Sequence, residues 1–457
     1  MIAPALVTSC LGDARRLIVL GWPLIVNNLF NIGVNVADTI MAGRLGAVQL
    51  AAVALGSSIW ITLFLAGLGV IMALGPAVAQ HLGAGRVRDV GHDTRQGLWL
   101  AILISIVVVP LMHAALPLML WMNIEPQVAA LAQGYLNAMS WGVLGCYWYH
   151  CLRQMNEGLG RTLPIMIIMA TSLPINVGLN YVFMYGKCGS PALGAVGAGL
   201  GSGLTFWLMF VFIATYTAKA KFYQRFEIWG PIEQPDWTVM RDLLRVGLPI
   251  GGSFMLQAGL FSAMALILGS FGAVVVAAHA VTLNYASLIF MIPLGVGMAT
   301  TALVGQAIGR GQPHAARRVG YVGIAMCFLL MCVSAVLTVV YAAAIARLYS
   351  QDEAVITLVT SLLFIAAIMQ LGDGSQVTAA GALRGLKDTR IPLLINAFVY
   401  WIVGFSIAYV LGVRFDYGAH GVWIGLASCL WVAAILLTLR FYKVMNSLVG
   451  AHRIRLT

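Results

Sequence analysis

The sequence predicts an all-α membrane protein of twelve transmembrane helices, in two six-helix bundles related by pseudo-two-fold symmetry about the membrane normal. Three observations predict it. Hydrophobic residues make up 61% of the chain and charged residues only 9%, apolar runs of spanning length recur throughout, and the second half repeats the first. A soluble globular chain carries about 25% charged residues, and no soluble fold could hide this much apolar surface. Fifty glycines, fifteen prolines and twelve tryptophans suit the same solvent. Glycine and proline are commoner in spanning helices than in soluble ones, and tryptophan collects at the headgroup layer.

A hydrocarbon core of about 30 Å takes about 20 residues of helix. Twelve segments qualify: 17–41, 47–80, 96–119, 126–149, 162–185, 193–218, 243–270, 273–308, 319–346, 355–382, 391–413 and 418–442. The first apolar run is too long for a signal-peptide core, and no basic stretch precedes it, so it is expected to stay as the first span. The only long connection is 219–242, which carries Lys219, Lys221, Arg225, Glu227, Pro231, Glu233, Pro235, Asp236 and Arg241. It divides the chain into an N-lobe (1–218) and a C-lobe (243–457).

Orientation follows from Lys and Arg on alternate sides. The N-terminus, the even-numbered loops and the C-terminal tail together hold 22; the odd-numbered loops hold only Arg44, Lys187, Arg347 and Arg414. Both termini are therefore expected on the cytoplasmic side of an inner membrane. The net charge of +11 is scattered over these short loops rather than gathered in a stripe, so it implies no nucleic-acid partner. Seven cysteines, at 10, 146, 151, 188, 327, 332 and 429, are odd in number and lack metal-ligand spacing. They are expected as free thiols, with no metal site and no cofactor.

The repeat bears on mechanism. At an offset of 226, Gly21-Trp-Pro23 falls on Gly247-Leu-Pro249, Ala51-Ala52 on Ala277-Ala278, Leu68-Gly69-Val70 on Leu294-Gly295-Val296, and Gln80 on Gln306. Six spans, an even number, give the second copy the same orientation. Such a parallel repeat is a recurrent plan of transporters, in which two bundles rock about a central site.

Asp38 in the first span and Asp373 in the tenth are the acids placed within apolar runs, where an ionisable group is a functional hypothesis by default. Their repeat partners are Met264, at the offset of 226, and Cys146, at the offset of 227 that places Gly158-Leu159 on Gly385-Leu386 further on, so the bundle itself requires neither acid. Asp38 lies fifteen residues after Pro23, about 22 Å along an ideal helix, in the outer half of its span. Pro23 and Pro249 each remove a backbone hydrogen bond and are candidate hinges. Gly372 and Gly374 flank Asp373, allowing either local unwinding or close helix packing. A buried carboxylate can exchange a proton for a cation; with several neutral oxygens around it, it can instead hold Na⁺.

Asn176 and Asn180, one turn apart, with Ser202 and Tyr135, belong to the same expected bundle as Asp38 and could help it, though each alone is more often a packing hydrogen bond. His150, His279 and His420 have no sequence partner and are read as structural. Phe30, Trp60, Tyr285, Phe290, Met291 and Met298 suit an adaptable apolar cavity, but most such residues face lipid or core. An intramembrane enzyme would need a close acid–base or metal constellation, and none stands in the sequence, so no catalytic residue is assigned.

Several stretches resemble a known family. Val36-Ala-Asp38-Thr-Ile-Met-Ala-Gly43, Gln80-His-Leu-Gly-Ala-Gly85, Asn176-Val-Gly-Leu-Asn180-Tyr-Val-Phe-Met-Tyr-Gly186, Gly372-Asp373-Gly-Ser-Gln376 and Gly381-Ala-Leu-Arg-Gly-Leu-Lys-Asp388 resemble the multidrug and toxic compound extrusion (MATE) family, in its bacterial NorM-like branch. The resemblance runs over nearly the whole chain. It implies a cation-coupled antiporter that exports cationic or aromatic drug-like molecules by alternating access. Asp38 matches the first-helix acid of the N-lobe cation site, Asn176, Asn180 and Ser202 match polar positions around it, and Asp373 matches the tenth-helix acid of the C-lobe. The seventh span departs: Gln257 stands where the pattern expects Glu, and an amide cannot exchange a proton. Proton coupling through Asp38, with Asp373 in support, is the resulting expectation; Na⁺ at Asp38 and Asn180 is the alternative.

Substrate-cavity candidates are Gln257, Ser202, Tyr135, Tyr285 and Met291. A related flippase for a lipid-linked sugar would want Arg and Lys for phosphates, and the spans hold almost none. Drug-like small molecules and the bilayer are the expected partners, and a monomer is the expected state.

Overall fold

The computed structural model describes residues 4–231 and 233–454. Every regular element among them is helical, as a chain in hydrocarbon requires, because each backbone N–H and C=O must be paired within its own segment. Side chains such as Leu266 (80% exposed), Leu329 (65%) and Val333 (61%) stand out from the helices. An apolar surface of this extent belongs against lipid.

The chain forms two compact units. One comprises Val26–Gly251; the other joins the residues up to Ile25 to those from Gly252 onward. These limits correct the expected lobes 1–218 and 243–457. The first turns of the first span and of the seventh each belong with the opposite repeat, and the two crossing points lie 226 residues apart, the offset of the repeat itself. Packing gives the reason. Leu17 is fully buried in a cluster with Ala299 and Leu303, and a Cβ on Gly295 would come within 2.5 Å of Ile25 Cγ1. A Cβ on Gly247 would likewise sit 2.5 Å from Val70 Cα. Pro23 and Pro249 lie inside α1 (Pro4–Gly43) and α11 (Trp237–Gly269), each two residues before a crossing.

The unit of Val26–Gly251 contains the rest of α1, α2 (Ala47–Ile71), α3 (Leu74–Gly83), α4 (Val87–His113), α5 (Ala115–Trp121), α6 (Pro126–Ser140), α7 (Val143–Gly158), α8 (Leu163–Tyr185), α9 (Ala195–Lys219), α10 (Lys221–Gln224) and the start of α11. Helix α9 packs on α6, α7 and α8 around a core that includes Tyr135, Tyr147 and Trp60. The expected fourth span, 126–149, is instead the pair α6 and α7, broken at Trp141–Gly142. The break sits where backbones touch: a Cβ on Gly142 would lie 2.4 Å from Gly203 Cα. Among the described residues, eleven helices are therefore long and apolar enough to cross a membrane singly.

The linker after α9 is strapped to α4. Arg95 pairs with Glu233, His92 Nδ1 lies 2.6 Å from Glu233 Oε2, Gln96 bonds the backbone on both sides at Gln234 and Asp236, and Trp99 donates to the Glu233 carbonyl. The hydrogen bond from Arg95 holds the Glu233 carboxyl below the usual carboxylate range.

In the other unit, α12 (Ala273–Gly309), α13 (Pro313–Val340) and α18 (Gly418–Ile454) pack against α15 (Glu353–Gly385). The ninth apolar run ends at Val340 and is followed by a separate α14 (Ala342–Tyr349). The eleventh, after α16 (Arg390–Ala397), widens into π-helical turns at Phe398–Gly404 and Val410–Arg414 on either side of α17 (Phe405–Tyr409). The core here includes Trp423 and Tyr400.

Candidate functional site

Helix α8 buries a stripe at helical spacing, Met169, Ser172, Asn176, Asn180 and Met184, so the two asparagines face inward together. Helix α9 can come close because its inward face is Gly197, Gly199, Gly201, Ser202 and Gly203; a Cβ on Gly201 would lie 2.2 Å from Asn180 Oδ1. Half-buried Asp38 reaches this seam from α1. Asn180 Nδ2 donates to Asp38 Oδ1 at 2.6 Å and to Asn176 Oδ1 at 3.1 Å. Ser202 Oγ makes a long contact with Asp38 Oδ2 at 3.5 Å. Asn176 Nδ2 lies 3.4 Å from the hydroxyls of both Ser202 and Thr205. Among the described residues no Lys, Arg or His nitrogen pairs with Asp38; both of its hydrogen-bond partners are neutral donors.

Asp38 lines a cavity of about 300 Å³ whose other walls include Trp60, Phe64, Tyr135, His150, Ser202 and Phe206. That volume is at the small end of ligand pockets. No Lys or Arg is among the lining residues.

Asp38, Asn176, Asn180, Ser202 and Tyr135 are thus brought together. Gln257, Tyr285 and Met291 lie in the other unit and do not line this cavity. Tyr285 is occupied locally, its hydroxyl 2.8 Å from Thr338 Oγ1. Asp373 is also in that unit, with Oδ1 buried and without a partner. Its flanking glycines serve packing, not unwinding: α15 is unbroken, and Cβ atoms on Gly372 and Gly374 would lie 3.0 Å from Trp431 and 2.6 Å from Met331. His420 is bonded to Ser361, whereas His150 lines the cavity with Nδ1 unpartnered.

A buried ion pair escaped the sequence reading. Arg153 and Glu157, which the expected spans leave in the loop between 149 and 162, lie on α7, 6% exposed each and 2.7 Å apart. Arg153 also donates to Asn28 Oδ1, and Gln154 donates to Glu157. Their i, i+4 spacing was the available signal; the partner Asn28, on another helix, had none.

An acid without a counter-cation, held by neutral donors at the wall of a chamber inside a multi-pass helical unit, is the arrangement of a membrane carrier. The chain belongs to the MatE family, whose model matches it twice, at residues 23–182 and 249–410. It is a multi-pass membrane transport protein and not an enzyme. The curated relatives it resembles include the "Multidrug resistance protein MdtK" of Yersinia enterocolitica and that of Yersinia pestis, each 39% identical over 434 residues, 94% of this chain and 95% of theirs. Among solved structures, it resembles the eukaryotic MATE transporter AtDTX14 (TM-score 0.86, 20% identity, 98% of this chain and 100% of that one). It also resembles a MATE in the straight conformation (TM-score 0.88, 21% identity, 96% and 97%). At these identities the structural likeness is one of fold.

Proposed function

We propose that this protein exports cationic or aromatic drug-like molecules from a bacterial cytoplasm in exchange for protons, with Asp38 as the exchanging group. The observation that carries the reading is the solitary carboxylate on the wall of an aromatic chamber. Protonated, Asp38 needs no counter-ion; ionised, it offers a cationic substrate the one full charge in the cavity lining. Exchange of one cation for the other at a single carboxylate is antiport. The names of the MdtK relatives support drug-like cargo, and the absence of Lys and Arg from the lining speaks against a phosphate-bearing lipid-linked sugar.

Proton coupling is favoured over Na⁺ by the sense of the hydrogen bonds. Na⁺ needs several oxygens turned toward it, whereas Asn180 and Ser202 present donors to Asp38. Asp373 acts in support as an acid of the second repeat, and Pro23 and Pro249, beside the crossings between units, are where α1 and α11 bend as access alternates. Both termini are taken as cytoplasmic from the charge asymmetry.

The test is dye efflux from proteoliposomes under a pH gradient alone and under a Na⁺ gradient alone. The pH gradient is expected to drive efflux in the wild type and to fail with Asp38→Asn. Efflux driven only by Na⁺, or retained by Asp38→Asn, contradicts the assignment.

A further inference from the structure

Where α9 leaves the apolar region, Lys219, Lys221 and Arg225 fall within seven residues, and the turn after α7 adds Arg161; all four are exposed. The Arg161 guanidinium carbon lies 4.2 Å from the centroid of the Phe222 ring. That of Arg225 lies 4.6 Å from the same ring and 4.6 Å from the Phe226 ring. Neither guanidinium has an ion-pair or hydrogen-bond partner among the described residues. This is unlike Arg86, Arg95 and Arg153 of the same unit, each of which meets a carboxylate. Glu227, two residues from Arg225, pairs with neither, and Glu157, four residues before Arg161, pairs with Arg153 instead.

The frame is fixed. The Asn156 carbonyl accepts the Arg161 N–H at 2.8 Å, and the Asn156 side chain accepts the Tyr223 hydroxyl, so one fully buried residue positions both the Arg161 turn and α10. With no partner among the described residues, the N–H groups of both guanidiniums are available to the oxygens of a phosphate, which their fork of donors suits. Holding two like charges on one ring without an anion is unfavourable and is relieved by a bound anion. Trp229 and Tyr216, 44% and 40% exposed, flank the cluster as interfacial aromatics do.

We infer that Arg161 and Arg225, held on Phe222 and supported by Lys219 and Lys221, form a binding site for the headgroup of an anionic phospholipid at the membrane surface. The inference is independent of the coupling chemistry at Asp38.

The experiment measures lipid retained by the purified full-length protein, by native mass spectrometry, after exposure to phosphatidylglycerol, phosphatidylcholine or inorganic phosphate. The wild type is expected to prefer phosphatidylglycerol to phosphatidylcholine. Each cation near a charged surface is worth about fivefold in binding, so R161Q/R225Q is expected to lose the preference by about 25-fold, and R161K/R225K, which keeps the charge without the fork of donors, to lose less. An unchanged preference in R161Q/R225Q overturns the site. Displacement of the lipid by equimolar inorganic phosphate overturns the lipid as its ligand. Should R161Q/R225Q fail to fold, the wild type alone decides: its preference must fall as salt is raised, and a salt-insensitive preference refutes the inference.

Discussion

A methyl group on α9 should disconnect Asp38 without touching it. In Gly201→Ala the new Cβ would lie 2.2 Å from Asn180 Oδ1, an atom with no hydrogen bond to hold it. The amide must turn away. In doing so it gives up its 2.6 Å bond to the Asp38 carboxylate and its 3.1 Å bond to Asn176. A hydrogen bond to a charged group contributes about 1.5–3 kcal/mol and a neutral one about 0.5–1.5 kcal/mol. Against this, Gly→Ala in a helix interior gains about 1 kcal/mol. The net loss is then about 1–3.5 kcal/mol, or roughly 5- to 300-fold in an equilibrium that depends on the seam.

The assay pairs thermal unfolding with pH-driven dye efflux. Gly203→Ala on the same helix is the control, because its Cβ would meet nothing nearer than 3.4 Å; it should retain both stability and efflux. In an Asp38→Asn background the cost of Gly201→Ala should shrink, since the charge-assisted bond is already gone. Wild-type behaviour of Gly201→Ala, or an equal cost in both backgrounds, would refute the reasoning.

Three further outcomes follow from other parts of the molecule. Truncating one partner of the buried Arg153–Glu157 pair, as in Glu157→Leu, should destabilise the protein by about 3–5 kcal/mol, while replacing both with Leu should cost far less; a chemical unfolding series checks this. Because the Glu233 carboxyl titrates below the usual range, its contribution to the linker strap is complete above that range and is lost as pH falls through the lowered value. Amide exchange over 227–236, corrected for its intrinsic pH dependence, should therefore rise in acid, and Glu233→Gln should remove that rise. Cys188 is the exposed cysteine, in the turn after α8, on a loop expected outside; an impermeant maleimide should label it in intact cells, and labelling only after lysis would reverse the assigned orientation.

The helices were legible because length and apolarity suffice to mark them, and Asp38 because a lone acid in an apolar run is conspicuous. Asn176 and Asn180 were legible through their i, i+4 spacing, and Ser202 through the resemblance. What stayed hidden depends on which helix lies beside which. The exchange of the first turns of α1 and α11 rests on Ile25 meeting Gly295 and on Gly247 meeting Val70, contacts across more than 170 residues. The break between α6 and α7 depends on Gly203 of another helix. His150 looked structural because its place on the cavity wall is set by neighbours such as Phe64, remote in sequence. Tyr285 and Met291 were chosen for side-chain type and Gln257 for its place in the resemblance, and neither ground says whether a residue lines this cavity.

In the proposed exchange one carboxylate, Asp38, trades a proton for a cationic substrate. Its most direct test is proton release from the purified protein, in weakly buffered solution, on addition of a cationic aromatic dye. About one proton per dye bound should be released by the wild type and none by Asp38→Asn, while Asp373→Asn should still release it. Dye binding without proton release, or release that persists in Asp38→Asn, would contradict the proposed exchange.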